Sequence, residues 1–215
     1  MMIDQIYLDF DNTLYDTVSL SQDITTIFLQ AGLTKEQFDE TMTEATKGKS
    51  GTFYNYSFEH HVALCQEKGY VLSHDILPDL SKLTEQDLSF DDTYTFLDWA
   101  RRNSKMVYVL TAGNPDFQMK KIASTRIAEF VDDIIICHHK KPEEVGLRKA
   151  DAKHIVFVND KVSENIAVKE KFSDITVITK RHPFRETEEE LKSSGIPYFD
   201  TLTEILNYTK QYGQE

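Results

Sequence analysis

Short apolar runs rich in β-branched residues recur along this chain, and amphipathic stretches separate them. The runs are Ile3–Leu8, Met106–Leu110, Ile134–Cys137, His154–Val158, Ile175–Ile178 and a shorter one at Pro197–Phe199. Parallel strands that are buried on both faces have this continuous apolar composition. Because the runs alternate with helical patterns, the sequence predicts an α/β fold with a doubly wound parallel sheet.

The connection between the first and second runs is much longer than the others. It spans roughly 90 residues, whereas a crossover in a parallel sheet needs about a dozen. Its pattern is helical throughout, over Val18–Ala31, Lys35–Lys47, Phe58–Lys68, Ile76–Leu83 and Thr93–Arg102. We therefore expect residues 1–15 and 96–215 to form the α/β core and residues 16–95 to form an inserted α-helical domain.

The remaining connections predict single helices. Asn114-Pro115 has the form of a helix start, Ser163–Phe172 is amphipathic, and a last helix follows the sixth apolar run. The acidic run Glu186–Glu190 is predicted to be a solvated helix face.

Charge and composition exclude several classes of protein. The 215 residues carry a formal charge of −12, which disfavours a general nucleic-acid or anionic-membrane surface. The only cysteines, Cys65 and Cys137, lie far apart and are expected to be reduced thiols. No apolar run approaches the about 18 residues of a membrane helix, and the acidic N-terminus lacks the basic segment of a signal peptide. These features favour a cytoplasmic location.

Two acids follow the first predicted strand directly. Asp9 and Asp11 are separated by one residue, so in an extended segment their side chains share a face. Two crowded carboxylates require a cation, a shared proton or a function that uses their repulsion. This pair is the strongest indication of function in the sequence.

Polar side chains also follow three other predicted strands. Thr111 follows the second, Lys140 and Lys141 follow the third, and Asn159-Asp160 ends the fourth, with Glu164 one helical turn further on. Because ligands bind outside the carboxyl ends of parallel strands, we expect these groups to meet at one edge of the sheet. Together they are the components of a metal-assisted phosphoryl-transfer site.

These motifs, in this order, resemble those of the haloacid dehalogenase-like (HAD) superfamily of hydrolases. Asp9–Leu14 matches the DxDxT motif, Val109–Ala112 the second motif, Lys141-Pro142 the lysine motif, and Phe157–Glu164 the acidic fourth motif. The resemblance covers nearly the full length and implies a Rossmann-like core. The helical insert lies where subclass I members carry a helical cap.

The chain departs from the family pattern at three points. Asn159 replaces the glycine that commonly precedes the fourth-motif aspartate, and Glu164 replaces a later aspartate. Only 12 residues separate Lys141 from His154, so the third crossover helix must be unusually short. The sequence leaves open whether Lys140 or Lys141 faces the site.

The resemblance implies Mg²⁺ as cofactor and a covalent mechanism. Asp9, Asp160 and the backbone carbonyl of Asp11 would hold the metal, with Glu164 acting through water. Asp9 would attack phosphorus to form an aspartyl-phosphate, and Asp11 would protonate the leaving alkoxide and then activate water. The phosphoryl oxygens would be held by Thr111 and Lys141 and by backbone N–H groups near Asn12 and Ala112.

Asp11 favours phosphate-ester hydrolysis, because family members that cleave carbon–halogen bonds lack an acid there and transport ATPases have threonine. We therefore expect a monomeric or homodimeric phosphatase acting on a small phosphorylated metabolite such as a sugar phosphate.

The segment Asp11–Tyr15 also resembles pyrimidine 5′-nucleotidase-like members, which makes a nucleotide a candidate substrate. The alternatives are a phosphomutase on the same core and a degenerate family member that binds without turnover. A receiver-like signalling domain leaves no room for the insert.

The insert is expected to close over the site and recognise the leaving group. Within it, Lys47–His61 is the candidate surface, through Lys49, Tyr54, Tyr56, His60 and His61. The aromatic residues of this stretch could instead pack the core of the insert. The adjacent pairs His60-His61 and His138-His139 are interpreted as surface or packing residues rather than metal ligands.

Overall fold

The computed structural model describes residues 2–47 and 55–212, with side chains up to residue 210. Its centre is a six-stranded sheet made of β1 (Ile3–Leu8), β2 (Ser104–Thr111), β3 (Asp133–Ile136), β4 (Ile155–Asn159), β5 (Ile175–Lys180) and β6 (Tyr198–Phe199). All neighbouring strands are parallel, and their order is β3-β2-β1-β4-β5-β6. The predicted α/β fold with a doubly wound parallel sheet is confirmed.

Helices connect the strands. In the described ranges they are α1 (Thr17–Gln30), α2 (Lys35–Ala45), α3 (Phe58–Glu67), α4 (Leu77–Leu83), α5 (Thr93–Asn103), α6 (Pro115–Ala123), α7 (Lys141–Lys149), α8 (Val162–Lys171), α9 (Glu188–Ser193) and α10 (Leu202–Tyr212). A 3₁₀ turn covers Ile127–Glu129. The third crossover helix, α7, has 9 residues, the same length as α6, so the expectation that it is unusually short is wrong.

Local sequence signals explain several helix starts. Thr34 and Thr187 each form a capping box with the residue three positions further on, at the starts of α2 and α9. The acidic run supplies the first turn of α9, where glutamates face the positive end of the helix dipole. Glu186 precedes that helix and is half-buried, so the prediction of a solvated helix face is wrong at this one position.

The order of the sheet determines where a ligand can bind. The connections run in opposite directions on either side of the β1–β4 pair, where Leu8 is in register with Val158. Ligands of doubly wound sheets bind at such a switch point, beyond the carboxyl ends of the strands. Asp9 and Asp160 follow β1 and β4 at this edge. The sheet beneath them is tightly packed, since Tyr7 and Leu8 are fully buried.

The chain divides into two compact units. The first contains the sheet and comprises residues 1–16, 89–111 and 126–215. The second comprises residues 17–88 and 112–125 and is helical, with α1 to α4 and α6. Helix α5, at the end of the long connection, belongs to the first unit and packs on β2 and α10.

An aromatic and polar core stabilises the second unit. The imidazole of His61 is fully buried, stacks on Phe28 with a centroid distance of 4.2 Å, and forms hydrogen bonds with Tyr56 and Thr41. Burial lowers the pKa of His61 to about 4, so the ring is neutral at ordinary pH. His61 is thus a packing residue, whereas His60 is exposed. Lys49, Phe53 and Tyr54 lie outside the described residues.

In the part of the chain that the structure describes, no helix is long and apolar enough to cross a membrane.

Candidate active site

A tight turn places the two acids that follow β1. The N–H of Asp9 donates to the carbonyl of Val158 at 2.9 Å, which continues the β1–β4 ladder by one residue. The carbonyl of Phe10 then accepts N–H groups from three later residues, the shortest contact being 2.9 Å from Leu14. Asn12, at the apex, has a left-handed backbone with φ of 58°, which asparagine tolerates better than most residues. As a result, Asp9 is buried and Asp11 is half-buried.

Lys141 is the centre of the buried polar cluster. Its Nζ lies 2.7 Å from Asp9 Oδ1, 2.8 Å from Asn159 Oδ1 and 2.9 Å from Glu164 Oε2. Lys140, the residue before it, is exposed. The structure therefore brings Lys141, and not Lys140, to the acid that follows β1.

The electrostatics of the cluster keep Lys141 charged. Burial alone would lower the pKa of its ammonium group, but the carboxylates of Asp9 and Glu164 outweigh burial and raise that pKa above its ordinary value. The three partners also use the three donors of the ammonium group. Lys141 is therefore a fixed positive charge beside Asp9.

The negative charge of Asp9 is only partly stabilised by Lys141. Burial raises its pKa to about 7, and the charges of Asp160 and Glu164 act in the same direction, against Lys141. Although Lys141 lies 2.7 Å away, burial and, to a smaller extent, the neighbouring acids leave a net penalty on the ionised form of Asp9. A further cation would relieve it.

Asp160 lies at the end of β4 and is paired with an arginine that the sequence motifs do not include. The side chain of Asp160 is buried, and its Oδ2 accepts from Arg185 Nη1 at 2.7 Å. Arg185 lies in the segment between β5 and α9, so this contact joins residues 25 apart. In the sequence, this ion pair is indicated only by the basic residues that follow β5, at the same edge of the sheet as Asp160.

Both carboxylate oxygens of Glu164 contact lysines. Oε2 pairs with Lys141, and Oε1 lies 3.1 Å from Lys161 Nζ. Burial would raise the pKa of Glu164, but these two ammonium groups hold it below its ordinary value. In this arrangement Glu164 positions Lys141, and its proposed water-mediated role at a metal stays a prediction.

Asn159, which replaces the usual glycine, has a definite structural role. It is fully buried, its Oδ1 accepts from Lys141, and its Nδ2 donates to Asn165 Oδ1 at 3.0 Å. Asn165 Nδ2 in turn donates to Thr179 Oγ1 at 2.8 Å. The side chain therefore links Lys141 to α8 and β5. In the sequence, the signal for the contact with Lys141 is the polar Asn159 at the end of β4, where the family commonly has glycine.

The predicted phosphoryl-binding residues occupy different environments. Thr111 is buried at the end of β2, and its carbonyl accepts from the N–H of Cys137 at 2.7 Å. Asn12 is buried, and its Oδ1 has no hydrogen-bond partner among the described residues. Ala112 follows Thr111 in the chain but belongs to the second unit, where its carbonyl accepts from Gln118 Nε2 at 2.8 Å. Their roles toward a phosphoryl group stay predictions.

The donors at this edge fit Mg²⁺ better than a cation that needs an all-protein cage. Among the residues that the structure describes, no three His, Cys, Asp or Glu side chains converge on one point. Magnesium commonly retains several waters and is held by one or two carboxylates. Asp9 and Asp160 supply two buried carboxylates that feel each other's charge. With the carbonyl of Asp11, they are the residues that would hold the ion.

His138 and His139 precede α7 and are both exposed. Their backbone N–H groups each donate to Glu144 Oε1 at 3.2 Å, which fixes the loop just before Lys141. Glu144 also pairs with Arg148 at 2.7 Å. These histidines therefore contribute backbone contacts to the position of α7, in agreement with their interpretation as surface residues.

Known structures share this fold at low sequence identity. YfnB of Bacillus subtilis, assigned as a HAD hydrolase and bound to magnesium, is 16% identical with a TM-score of 0.63, over 97% of this chain and 99% of that chain. The L-2-haloacid dehalogenase of Xanthobacter autotrophicus is 15% identical with a TM-score of 0.64, over 97% and 99%. A protein of Thermotoga maritima assigned as a β-phosphoglucomutase is 14% identical with a TM-score of 0.62, over 97% and 99%. Because one fold hosts several chemistries, this likeness establishes the fold alone.

The comparison of sequences gives the family. No curated protein matches the chain. The model of the haloacid dehalogenase-like hydrolases matches residues 3–156, a span that includes the first three strands, the acids after β1, Thr111 and Lys141. The chain therefore belongs to the haloacid dehalogenase-like hydrolase family.

Proposed function

We propose that the protein is a Mg²⁺-dependent phosphatase that hydrolyses a small phosphorylated metabolite through an aspartyl-phosphate. The observation that carries this proposal is the contact between the buried carboxylate of Asp9 and Lys141, 2.7 Å apart, with a second acid two residues later. A nucleophile next to a fixed cation is suited to an anionic substrate.

Each side chain has a step in this proposal. An oxygen of Asp9 forms a bond to phosphorus while the bond from phosphorus to the leaving alkoxide breaks, and Asp11 gives that alkoxide its proton. Asp11 then takes a proton from water, whose oxygen attacks the aspartyl-phosphate, releasing phosphate and restoring Asp9. Lys141 stabilises the charge that develops on the phosphoryl oxygens. A bound Mg²⁺ would supply charge neutralisation between the nucleophile and the phosphate.

Asp9 and Asp11 differ in how deeply they are buried, and the difference suits their proposed roles. Asp9 is 5% exposed, so its carboxylate is protected from hydration and held by Lys141. Asp11 is half-buried and lies in a turn, where exchange of its proton with water is feasible. The same pair would be unnecessary for cleavage of a carbon–halogen bond, in which no leaving alkoxide has to be protonated. Asp11 therefore favours a phosphatase over the activity named for the Xanthobacter neighbour.

The substrate class follows from the resemblance of the Asp11–Tyr15 segment and from the family. Nucleoside monophosphates and sugar phosphates are the first candidates. Phosphomutase activity is the second candidate function, because the β-phosphoglucomutase neighbour shares the fold and an aspartyl-phosphate can return its phosphoryl group to the substrate. Product analysis separates the two, since a mutase yields an isomerised sugar phosphate in place of free phosphate.

The experiment is a profile of phosphate release over a panel of phosphorylated metabolites, with Mg²⁺ and with a chelator. We expect metal-dependent release from the wild type and none from Asp9→Asn, which keeps the shape of the side chain but cannot attack phosphorus. Circular dichroism of the variant checks that it is folded. Turnover by folded Asp9→Asn at the wild-type rate contradicts the proposed role of Asp9.

A further inference from the structure

Arg185 forms an ion pair with Asp160, one of the two acids proposed to hold the metal. Its Nη1 lies 2.7 Å from Asp160 Oδ2, and the Asp160 side chain is only 6% exposed. The contact of Asp160 is therefore one between two side chains. This ion pair is buried on the acid side and partly open on the arginine side, where the side chain is 37% exposed.

The two cations at this edge differ in how firmly they are held. Lys141 has three oxygen partners and is 7% exposed, so it can leave neither Asp9 nor Glu164 without exposing buried charge. Arg185 has one carboxylate partner among the described residues and reaches solvent. Arg185 can therefore move away from Asp160 at modest cost, whereas Lys141 cannot.

Two other charged groups lie near Asp160, and neither forms an ion pair with it in the described ranges. Lys180, at the end of β5, is buried with its ammonium group 3.8 Å from the centre of the Phe90 ring. It feels the charge of Asp160, but the structure gives it no ion pair with that residue in the described ranges. Glu186, next to Arg185, adds a carboxylate whose buried Oε2 has no hydrogen-bond partner among the described residues. Arg185 is thus the one direct charge partner seen at Asp160 in this part of the chain.

We propose that Arg185 is a tethered competitor of Mg²⁺ for Asp160 and so lowers the affinity of the protein for the metal. This inference rests on the proposed function, since it takes Asp160 as a metal-holding residue. A dication at Asp160 and a guanidinium group on the same carboxylate repel each other, so the arginine has to withdraw when the ion binds. Part of the binding free energy of the ion is spent on breaking the pair.

The opposite role for Arg185 predicts the opposite sign. If the guanidinium group served to orient Asp160 toward the metal, its removal would weaken metal binding. Competition predicts tighter binding on removal of the charge. The sign of the change in affinity therefore decides between the two roles.

The test is calorimetric titration of the full-length protein with MgCl₂ at constant ionic strength, without substrate. We expect Arg185→Gln to bind Mg²⁺ about tenfold more tightly than the wild type, the size expected when one partly buried ion pair no longer has to be broken. Arg185→Lys, which keeps the charge, is expected to stay near the wild type. Arg181→Gln is the matched control, because Arg181 lies in the same segment, is 36% exposed and pairs with Glu188 and Asp200 instead.

Each outcome bears on a different claim. Equal or weaker Mg²⁺ affinity of Arg185→Gln, with binding by the wild type, overturns the competitor role and leaves the proposed phosphatase intact. The same tightening in Arg181→Gln also overturns it, because the effect is then one of net charge. Absence of Mg²⁺ binding in every variant overturns both the metal site and this inference. A rise in the thermal unfolding temperature on adding MgCl₂, larger for Arg185→Gln than for the wild type, is the second readout that supports competition.

Discussion

The two units each bury a polar cluster, and of these two clusters one is neutral whereas the other contains charged groups. In the second unit, neutral His61 has a hydrogen-bond partner for each ring nitrogen and aromatic neighbours around it. In the first unit, Lys141 is fully bonded, but Asp9 beside it stays difficult to ionise because it is buried and because other acids are near. Burial of polar groups is common to both. Of these two clusters, the one around Lys141 holds a buried carboxylate with a raised pKa beside a charged lysine, and such a perturbed group is typical of a reactive site.

The largest expected effect comes from removing the fixed cation. Lys141→Met keeps the length of the side chain but removes the charge that faces Asp9, and we expect kcat/KM for phosphate release to fall about a thousandfold, the size seen when a preorganised electrostatic group is lost. Lys140→Met is the control, since Lys140 is exposed. Steady-state kinetics measure both. An equal loss in the two variants would contradict the central position of Lys141.

In the cluster of the second unit the expected effect is on stability. His61→Leu removes the buried hydrogen bonds of the imidazole with the hydroxyl groups of Thr41 and Tyr56, and we expect the free energy of unfolding to drop by about 2 kcal/mol. Urea denaturation measures the loss. Phosphate release per folded molecule should be unchanged. A stable His61→Leu variant would show that its hydrogen bonds contribute little to that unit.

The two clusters are also expected to differ in how they make the stability of the protein depend on pH. The pKa of Asp9 is raised in the folded protein to about 7, from an ordinary value of 3.8, so the folded state binds a proton that the unfolded state has released. The resulting stability is fully present below the ordinary pKa and is lost as pH rises through about 7. Without metal, we therefore expect the unfolding temperature to fall between pH 6 and pH 8, and the fall to be smaller in Asp9→Asn. A parallel pH profile in the variant contradicts the assignment.

The lowered pKa of His61 affects the stability of the protein at acidic pH. Its folded-state pKa of about 4 lies below its ordinary value of 6.5, so this group contributes stability above the ordinary pKa that is lost as pH falls toward 4. The acid limb of the stability profile should therefore be shallower in His61→Leu. Thermal denaturation of both variants over one pH series measures the two effects side by side.

The smallest effect is expected where the chain departs from the family motif. Asn159→Gly restores the glycine but takes away one of the three partners of Lys141, and we expect kcat to fall about tenfold, as for the loss of one hydrogen bond to a charged group. Asn165→Ala is a useful companion, because Asn165 contacts Asn159 and not Lys141. A glycine variant as active as the wild type would mean that Asp9 and Glu164 suffice to hold the lysine.

The sequence predicted what depends on local pattern. All six apolar runs became strands, because a buried parallel strand needs a continuous apolar run, and their parallel order brought the polar strand ends to one edge. The half-burial of Glu186 was missed, because an acidic run carries no local sign of the buried Asp160 nearby. Local patterns report periodicity, and they carry little information on contacts between distant segments.

The partners within the site depend on contacts that the sequence does not contain. Lys141 faces the site and Lys140 is exposed because of where α7 begins. The contact of Asn159 with Lys141 depends on how the start of α7 lies against the end of β4. Arg185 meets Asp160 only because β5 lies beside β4. Such pairs follow from the tertiary arrangement, which is why the motifs indicated the acids and Lys141 but did not indicate Arg185.

The central claim is that Asp9 becomes covalently phosphorylated during turnover. The most direct measurement is acid quenching of the reaction with substrate and Mg²⁺, followed by peptide mass mapping, in Asp11→Asn, where slowed hydrolysis lets the intermediate accumulate. We predict the added mass of one phosphoryl group on the peptide that contains Asp9, and none in the Asp9→Asn variant. A phosphoryl group on another residue, or turnover of substrate to free phosphate without any labelled peptide, would contradict the account.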